Sequence, residues 1–146
     1  MTFSAKPWAD RLDLMGDMAE TEFEATHTEP YARWGLNRPD FPVRLLPAEV
    51  RFAPDYVTAD RFIEVQGVGK DQTLKIKLDK YIAWHHWAKL LPVWIWIWDA
   101  HQGSYLFVSL DRVDYLVGSG EGDWRRFPEG TAYLAVDLAR LRDESP

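Results

Sequence analysis

The sequence predicts an α/β domain, a central mixed β-sheet flanked by helices, on three observations. The run "VWIWIWD", Val93 to Asp99, alternates aliphatic and aromatic residues in the manner of a strand buried on both faces. The stretch from about Thr73 to Leu91 places Leu74, Leu78, Tyr81, Ile82, His85 and Ala88 on one face of a helix. Helical and extended segments also alternate along the chain as helix, strands, helix, strands, the order of a sheet with helices packed on it.

A chain of 146 residues is expected to form one domain over 1–146 with a substantial core. It has no cysteine, which excludes a disulfide framework and a thiolate metal site. No apolar run approaches the ~20 residues that span a bilayer, and the N-terminus lacks a signal-like apolar core. The expectation is a soluble, cytoplasmic protein with no membrane association. A net charge of −6 argues against binding polyanions over the whole surface, but the charge is uneven. Residues 1–30 carry seven acids against two bases, whereas residues 61–90 carry six bases against three acids.

Taken in order, residues 10–28 read as a helix with Leu14, Met18, Phe23 and Ala25 on its apolar face, ended by Pro30. "WGLNRPDFP" is loop by its Gly, Asn and prolines, and "VRLLPAEVRF" leads to a strand or turn. Arg61 to Val65 makes a short strand, and Gly67 and Gly69 mark a turn before the helix over 73–91. Pro92 stops that helix. After "VWIWIWD" comes a turn at Gln102-Gly103 and a second strand, Tyr105 to Leu110. Asp111 to Val117 suits a short helix, "GSGEGD" a loop, and Thr131 to Leu141 a strand finishing as helix.

The carboxylates of Asp55 and Glu64 need a reason. Glu64 sits inside the apolar run Phe62-Ile63-Glu64-Val65, where a lone carboxylate costs desolvation unless it is paired or metal-bound. In a strand Glu64 and Gln66 share one face while Ile63 and Val65 share the other. If the segment at Asp55 pairs with this strand, the two acids converge. Two carboxylates with a backbone carbonyl make a hard-oxygen site suited to Mg²⁺ or Mn²⁺, with phosphate supplying further ligands. Such an ion activates water and polarises phosphate, and a nearby lysine offsets the developing charge.

The pattern Pro54-Asp55, a spacer, then Glu64-Val65-Gln66, a glycine turn and a lysine-rich helix resembles the PD-(D/E)xK nuclease superfamily of restriction endonucleases and Holliday-junction resolvases. The resemblance covers most of residues 12–110, on a short, degenerate motif. It implies a restriction-endonuclease-like core, phosphodiester hydrolysis in DNA, and metal ligation by Asp55, Glu64 and the carbonyl of Val65. "GDMAE" sets Glu20 where resolvase-like members carry a helical glutamate that joins the same ion or a second one. Gln66 stands where the family has lysine, and an amide can bond water or phosphate oxygen but carries no charge. Lys77, Lys75 and Lys70 are the candidates for a relocated lysine, Lys77 preferred for its place beside Tyr81 and Trp84. Lys70, Lys75, Lys77 and Lys80, with Arg33, Arg38 and Arg44 of the loop, are the candidates to hold DNA phosphates. Two-strand cutting would imply a homodimer. The alternative is a silent nuclease fold that binds DNA or a protein partner.

Plainer readings stand beside these. Pro-Asp is a turn former, Glu64 suits a solvent-facing edge strand, and Glu20 or Glu24 suits a helix surface. The lysines suit a solvated face, and the Trp run suits a buried central strand better than a base-stacking platform. His85-His86 and Asp99-Ala100-His101 show no zinc spacing.

Overall fold

The computed structural model describes residues 8–36 and 39–143. The chain forms α1 (Trp8–Thr26), β1 (Ala32–Arg33), a 3-10 turn (Val43–Leu45), α2 (Ala48–Arg51), β2 (Tyr56–Val57), β3 (Phe62–Val68) and β4 (Thr73–Lys77). It continues through α3 (Leu78–Trp87), β5 (Val93–Asp99), β6 (Ser104–Ser109), α4 (Leu110–Gly118), β7 (Asp123–Arg126), β8 (Ala132–Asp137) and α5 (Leu138–Arg142). Five strands make a mixed sheet in the order β1-β2-β3-β5-β6, and three make a second sheet, β4-β8-β7. β3 and β5 run parallel, so the chain must cross over between them, and β4 with α3 is that crossover. All other pairings are antiparallel. The architecture is the α/β one expected, with a second sheet in addition.

Alternation along the central strands divides the interior in two. Phe62 and Val68 of β3, with Val93, Ile95 and Ile97 of β5, pack against Trp84 of α3 and against Leu74, Ile76, Leu134 and Val136 of the second sheet. On the opposite face Ile63, Val65 and Trp96 pack against Ala19 and Phe23 of α1 and Tyr56 of β2. Phe23 anchors this side, its ring 4.7 Å from Tyr56 and 5.5 Å from Trp96. Among the described side chains of α1, Ala19 and Phe23 are buried, while Met18 and Ala25, expected on the apolar face, are exposed, and Leu14 lies outside the described side chains. β5 lies between β3 and β6 with Trp96 buried, the place of a central strand.

The helix expected over 73–91 is shorter and starts later. Thr73 to Lys77 alternates Leu74 and Ile76, fully buried, with exposed Lys75 and Lys77, and pairs with β8 as a strand. The period of two wins because this segment has a sheet partner, whereas the helical reading relied on Leu74 and Leu78 four apart. Lys75 and Lys77 therefore stand on a strand of the second sheet. Ile82, assigned above to the apolar face, is 56% exposed, and Ala83 and Trp84 are the buried residues of α3. The segment "VRLLPAEVRF" supplies the 3-10 turn and α2, and β7 begins within "GSGEGD". No helix of the described residues is long and apolar enough to cross a membrane.

Candidate active site

The β2–β3 pairing brings the two acids together. Tyr56 pairs with Ile63 and Val57 with Phe62. One further step of this antiparallel register sets Asp55 opposite Glu64. The Asp55 carbonyl accepts the N–H groups of Trp34 (2.8 Å) and Gly35 (3.2 Å), which tie the loop before β2 to the loop after β1. Gly35 is required there, because a Cβ would lie 2.7 Å from the Pro54 carbonyl oxygen and 2.9 Å from that of Ala53. The Asp55 side chain turns to β3, where Oδ2 accepts the Val65 N–H at 2.9 Å.

This bond also places the Val65 carbonyl. Phe62 donates its N–H to Pro92 on the β5 side of β3, and successive strand residues point their backbone groups to alternate sides. The N–H and C=O of Val65 both face away from β5, along the edge where β2 has ended and Asp55 stands.

Glu64 lies on the α3 face of the sheet and is 2% exposed. Its Oε2 accepts the Gln66 amide at 2.7 Å and the Lys80 ammonium at 3.2 Å, while Oε1 accepts neither. Lys80 lies in the first turn of α3 and reaches back over the sheet. The sequence pattern puts Lys80 among the candidates for phosphate binding and Lys77 first among the candidates for the relocated lysine. Lys80 is the one that meets the acid. Lys77 is exposed on β4, Lys75 pairs with Asp71 at 2.8 Å, and Lys70 is exposed in the turn after β3. Arg38 lies outside the described residues, and Arg44 is exposed in its 3-10 turn.

The electrostatics follow from burial and proximity. Burial, and next the charge of Glu64, push Asp55 well above the ordinary carboxylate range, against the Val65 N–H and Lys80, which act to lower it. Burial alone would pull the Lys80 ammonium down, but Glu64 and Asp55 outweigh it and hold its pKa above the usual lysine value. Asp55, Glu64 and Lys80 thus share one field.

Glu20 reaches the same locality from α1 through Arg33 of β1. Both terminal nitrogens of Arg33 lie 3.2 Å from Glu20 Oε1, and Nη1 lies 3.5 Å from Asp55 Oδ1. The guanidinium sits over the Tyr56 ring, 4.7 Å from its centroid, and Tyr56 donates its hydroxyl to Glu24. Sequence reading put Arg33 in a phosphate-holding loop and missed this bridge, since nothing local in "YARWG" signals a partner on α1. Among the described residues no group of three or more His, Cys, Asp or Glu side chains is arranged to hold a metal. A cation here would draw on Asp55 and Glu64 with the Val65 carbonyl, a set made of hard oxygens that suits Mg²⁺ or Mn²⁺. His85 serves elsewhere: it meets Asp114 at 2.9 Å, and the Tyr81 hydroxyl donates to the same carboxylate.

No family model, no curated protein and no solved structure matches the chain.

Proposed function

We propose that this chain is a metal-dependent deoxyribonuclease of the PD-(D/E)xK kind, with Asp55, Glu64 and the Val65 carbonyl as the ligands of Mg²⁺ or Mn²⁺. The observation that carries the reading is the 3.2 Å approach of Lys80 to Glu64, because it supplies from α3 the cation that Gln66 does not provide. A bound divalent ion would supply a water of lowered pKa and polarise a phosphoryl oxygen. The chain's own residues do the rest. The Val65 N–H fixes the Asp55 carboxylate, and Gln66 fixes Glu64. Lys80 would donate to an attacking water or to the phosphate as negative charge builds.

A second reading is favoured by one feature of the same site. Glu64 Oε2 already holds two donors, an arrangement that satisfies a buried carboxylate without any ion. On that reading the chain is a silent nuclease fold acting as a DNA-binding or protein-binding subunit, since a fold alone never fixes chemistry.

Incubation with supercoiled, single-stranded and branched DNA in Mg²⁺ or Mn²⁺ separates the two. Cleavage that disappears in Glu64→Ala supports hydrolysis. Absence of cleavage on every substrate, or cleavage undiminished by Glu64→Ala, removes it.

A further inference from the structure

Each acid of the proposed cation site has its own positive partner. Lys80 attends Glu64, and Arg33 attends Asp55. The two partners are held differently. Lys80 is committed to Glu64, whereas Arg33 is divided, with two contacts of 3.2 Å to Glu20 and one longer contact of 3.5 Å to Asp55. Its guanidinium also rests on the Tyr56 ring. That ring is fixed in turn by Glu24, one helical turn beyond Glu20. Glu20, Tyr56 and Glu24 thus hold the arginine in place without help from Asp55.

We propose that Arg33 is a resident counter-ion of Asp55, which yields that carboxylate to a divalent cation and stays held by Glu20. The inference rests on the cation site proposed above. It gives Glu20 a role different from the one the resemblance implies: Glu20 acts through Arg33 as a positioning residue and is not a ligand. A guanidinium beside Asp55 opposes an incoming divalent charge, and the loose contact on the Asp55 side is the one such an ion would replace. The tighter contacts, on the Glu20 side, lie away from that exchange.

Calorimetric titration with Mn²⁺ tests this on the wild type, Arg33→Gln, Arg33→Lys, Glu20→Gln and the double variant Glu20→Gln/Arg33→Gln, with thermal melting as the folding control. Removing the arginine charge is expected to tighten Mn²⁺ binding about two- to fivefold, the size of a partly exposed charge interaction. Arg33→Lys keeps the charge but not the two-nitrogen contact to Glu20, and is expected not to tighten binding, so tightening by Arg33→Lys would overturn the charge account. Glu20→Gln releases Arg33 toward Asp55 and is expected to weaken binding. In the double variant the Glu20 change is expected to add about twofold or less, because its intermediary is gone. Equal or weaker binding by Arg33→Gln overturns the proposal. So does a large loss from Glu20→Gln in the Arg33→Gln background, which would make Glu20 a ligand. No binding by any variant overturns the cation site and this proposal together. The expected affinities without DNA cleavage by the wild type support the counter-ion and remove only the hydrolysis.

Discussion

Lys80 and Glu64 lie sixteen residues apart in sequence and 3.2 Å apart in space, joined across the interface between α3 and β3. The carboxylate is 3% exposed and the lysine side chain 33%. Removing the lysine leaves a buried charge with only an amide to hold it. Lys80→Met is expected to cost about 1–3 kcal/mol, below the range for a fully buried pair because the lysine is partly solvated. Cleavage is expected to fall by about 10² or more, the usual effect of losing one electrostatic donor. Lys77→Met, on the exposed side of β4, is expected to change neither. Urea denaturation and plasmid cleavage read the two effects.

Asp55 is expected to weaken the fold while serving the site. Its folded pKa is raised, so over the window from the ordinary carboxylate value up to the folded one the native state binds more protons than the unfolded chain. The contribution to stability is therefore complete at low pH and is lost as pH rises through the folded pKa. Asp55→Asn keeps an acceptor for the Val65 N–H and removes the charge. At neutral pH its Tm is expected to rise by a few degrees, on the order of 1 kcal/mol of stabilisation in a domain of this size. The same variant is expected to lose the Tm increase that Mn²⁺ gives the wild type. An unchanged or lower Tm would refute the electrostatic account of this residue.

Asp99 has the opposite sign. It is fully buried at the end of β5, where burial alone would raise its pKa. Gln72, the backbone N–H groups of Gln102 and His101, and Arg142 outweigh that and lower it. Its stabilisation is present above the ordinary carboxylate pKa and lost as pH falls through the lowered one. Asp99→Asn is expected to destabilise by about 1–3 kcal/mol near neutrality, since it weakens the charge-assisted bond that the buried carboxylate makes to the partly exposed Arg142. Denaturation of Asp55→Asn and Asp99→Asn at one pH should move the midpoint in opposite directions.

Gly35 is expected to be intolerant of a side chain although it takes no part in chemistry. A methyl group there meets two carbonyl oxygens at under 3.0 Å, and both belong to the backbone just before Asp55. Gly35→Ala is expected to cost about 1–3 kcal/mol through overpacking. It is also expected to weaken Mn²⁺ binding by shifting Asp55 from the Val65 N–H. Gly118→Ala, with open space around it, is the matched control.

The sequence made the central strands legible because their alternation is long and uninterrupted. "VWIWIWD" and the strand after Gln102-Gly103 are where the pattern places them. The convergence of Asp55 and Glu64 was legible only as a condition, that the segment at Asp55 pairs with the strand at Phe62, and the β2–β3 register is what supplies that pairing. The lysine was misplaced for a local reason. Leu74, Ile76 and Leu78 satisfy both a period of two and, in part, a helical spacing, and only β8 decides between them. Once Thr73–Lys77 is a strand, Lys77 moves out to solvent and the first turn of α3 carries Lys80. The bridge from Glu20 through Arg33 to Asp55 was not legible at all. β1 and β2 are two residues each, and what fixes them is contact with α1 and β3, far along the chain.

The docking of α3 has a consequence for how such a site can change over time. An acid on a strand and a base on the following crossover need only meet in space, so their chemistry does not dictate the number of residues between them. Once the helix supplies the ammonium, the position two residues beyond Glu64 is released from carrying charge and can be held by an amide that merely steadies its neighbour. A lineage that followed this route would keep its geometry while its local sequence drifted.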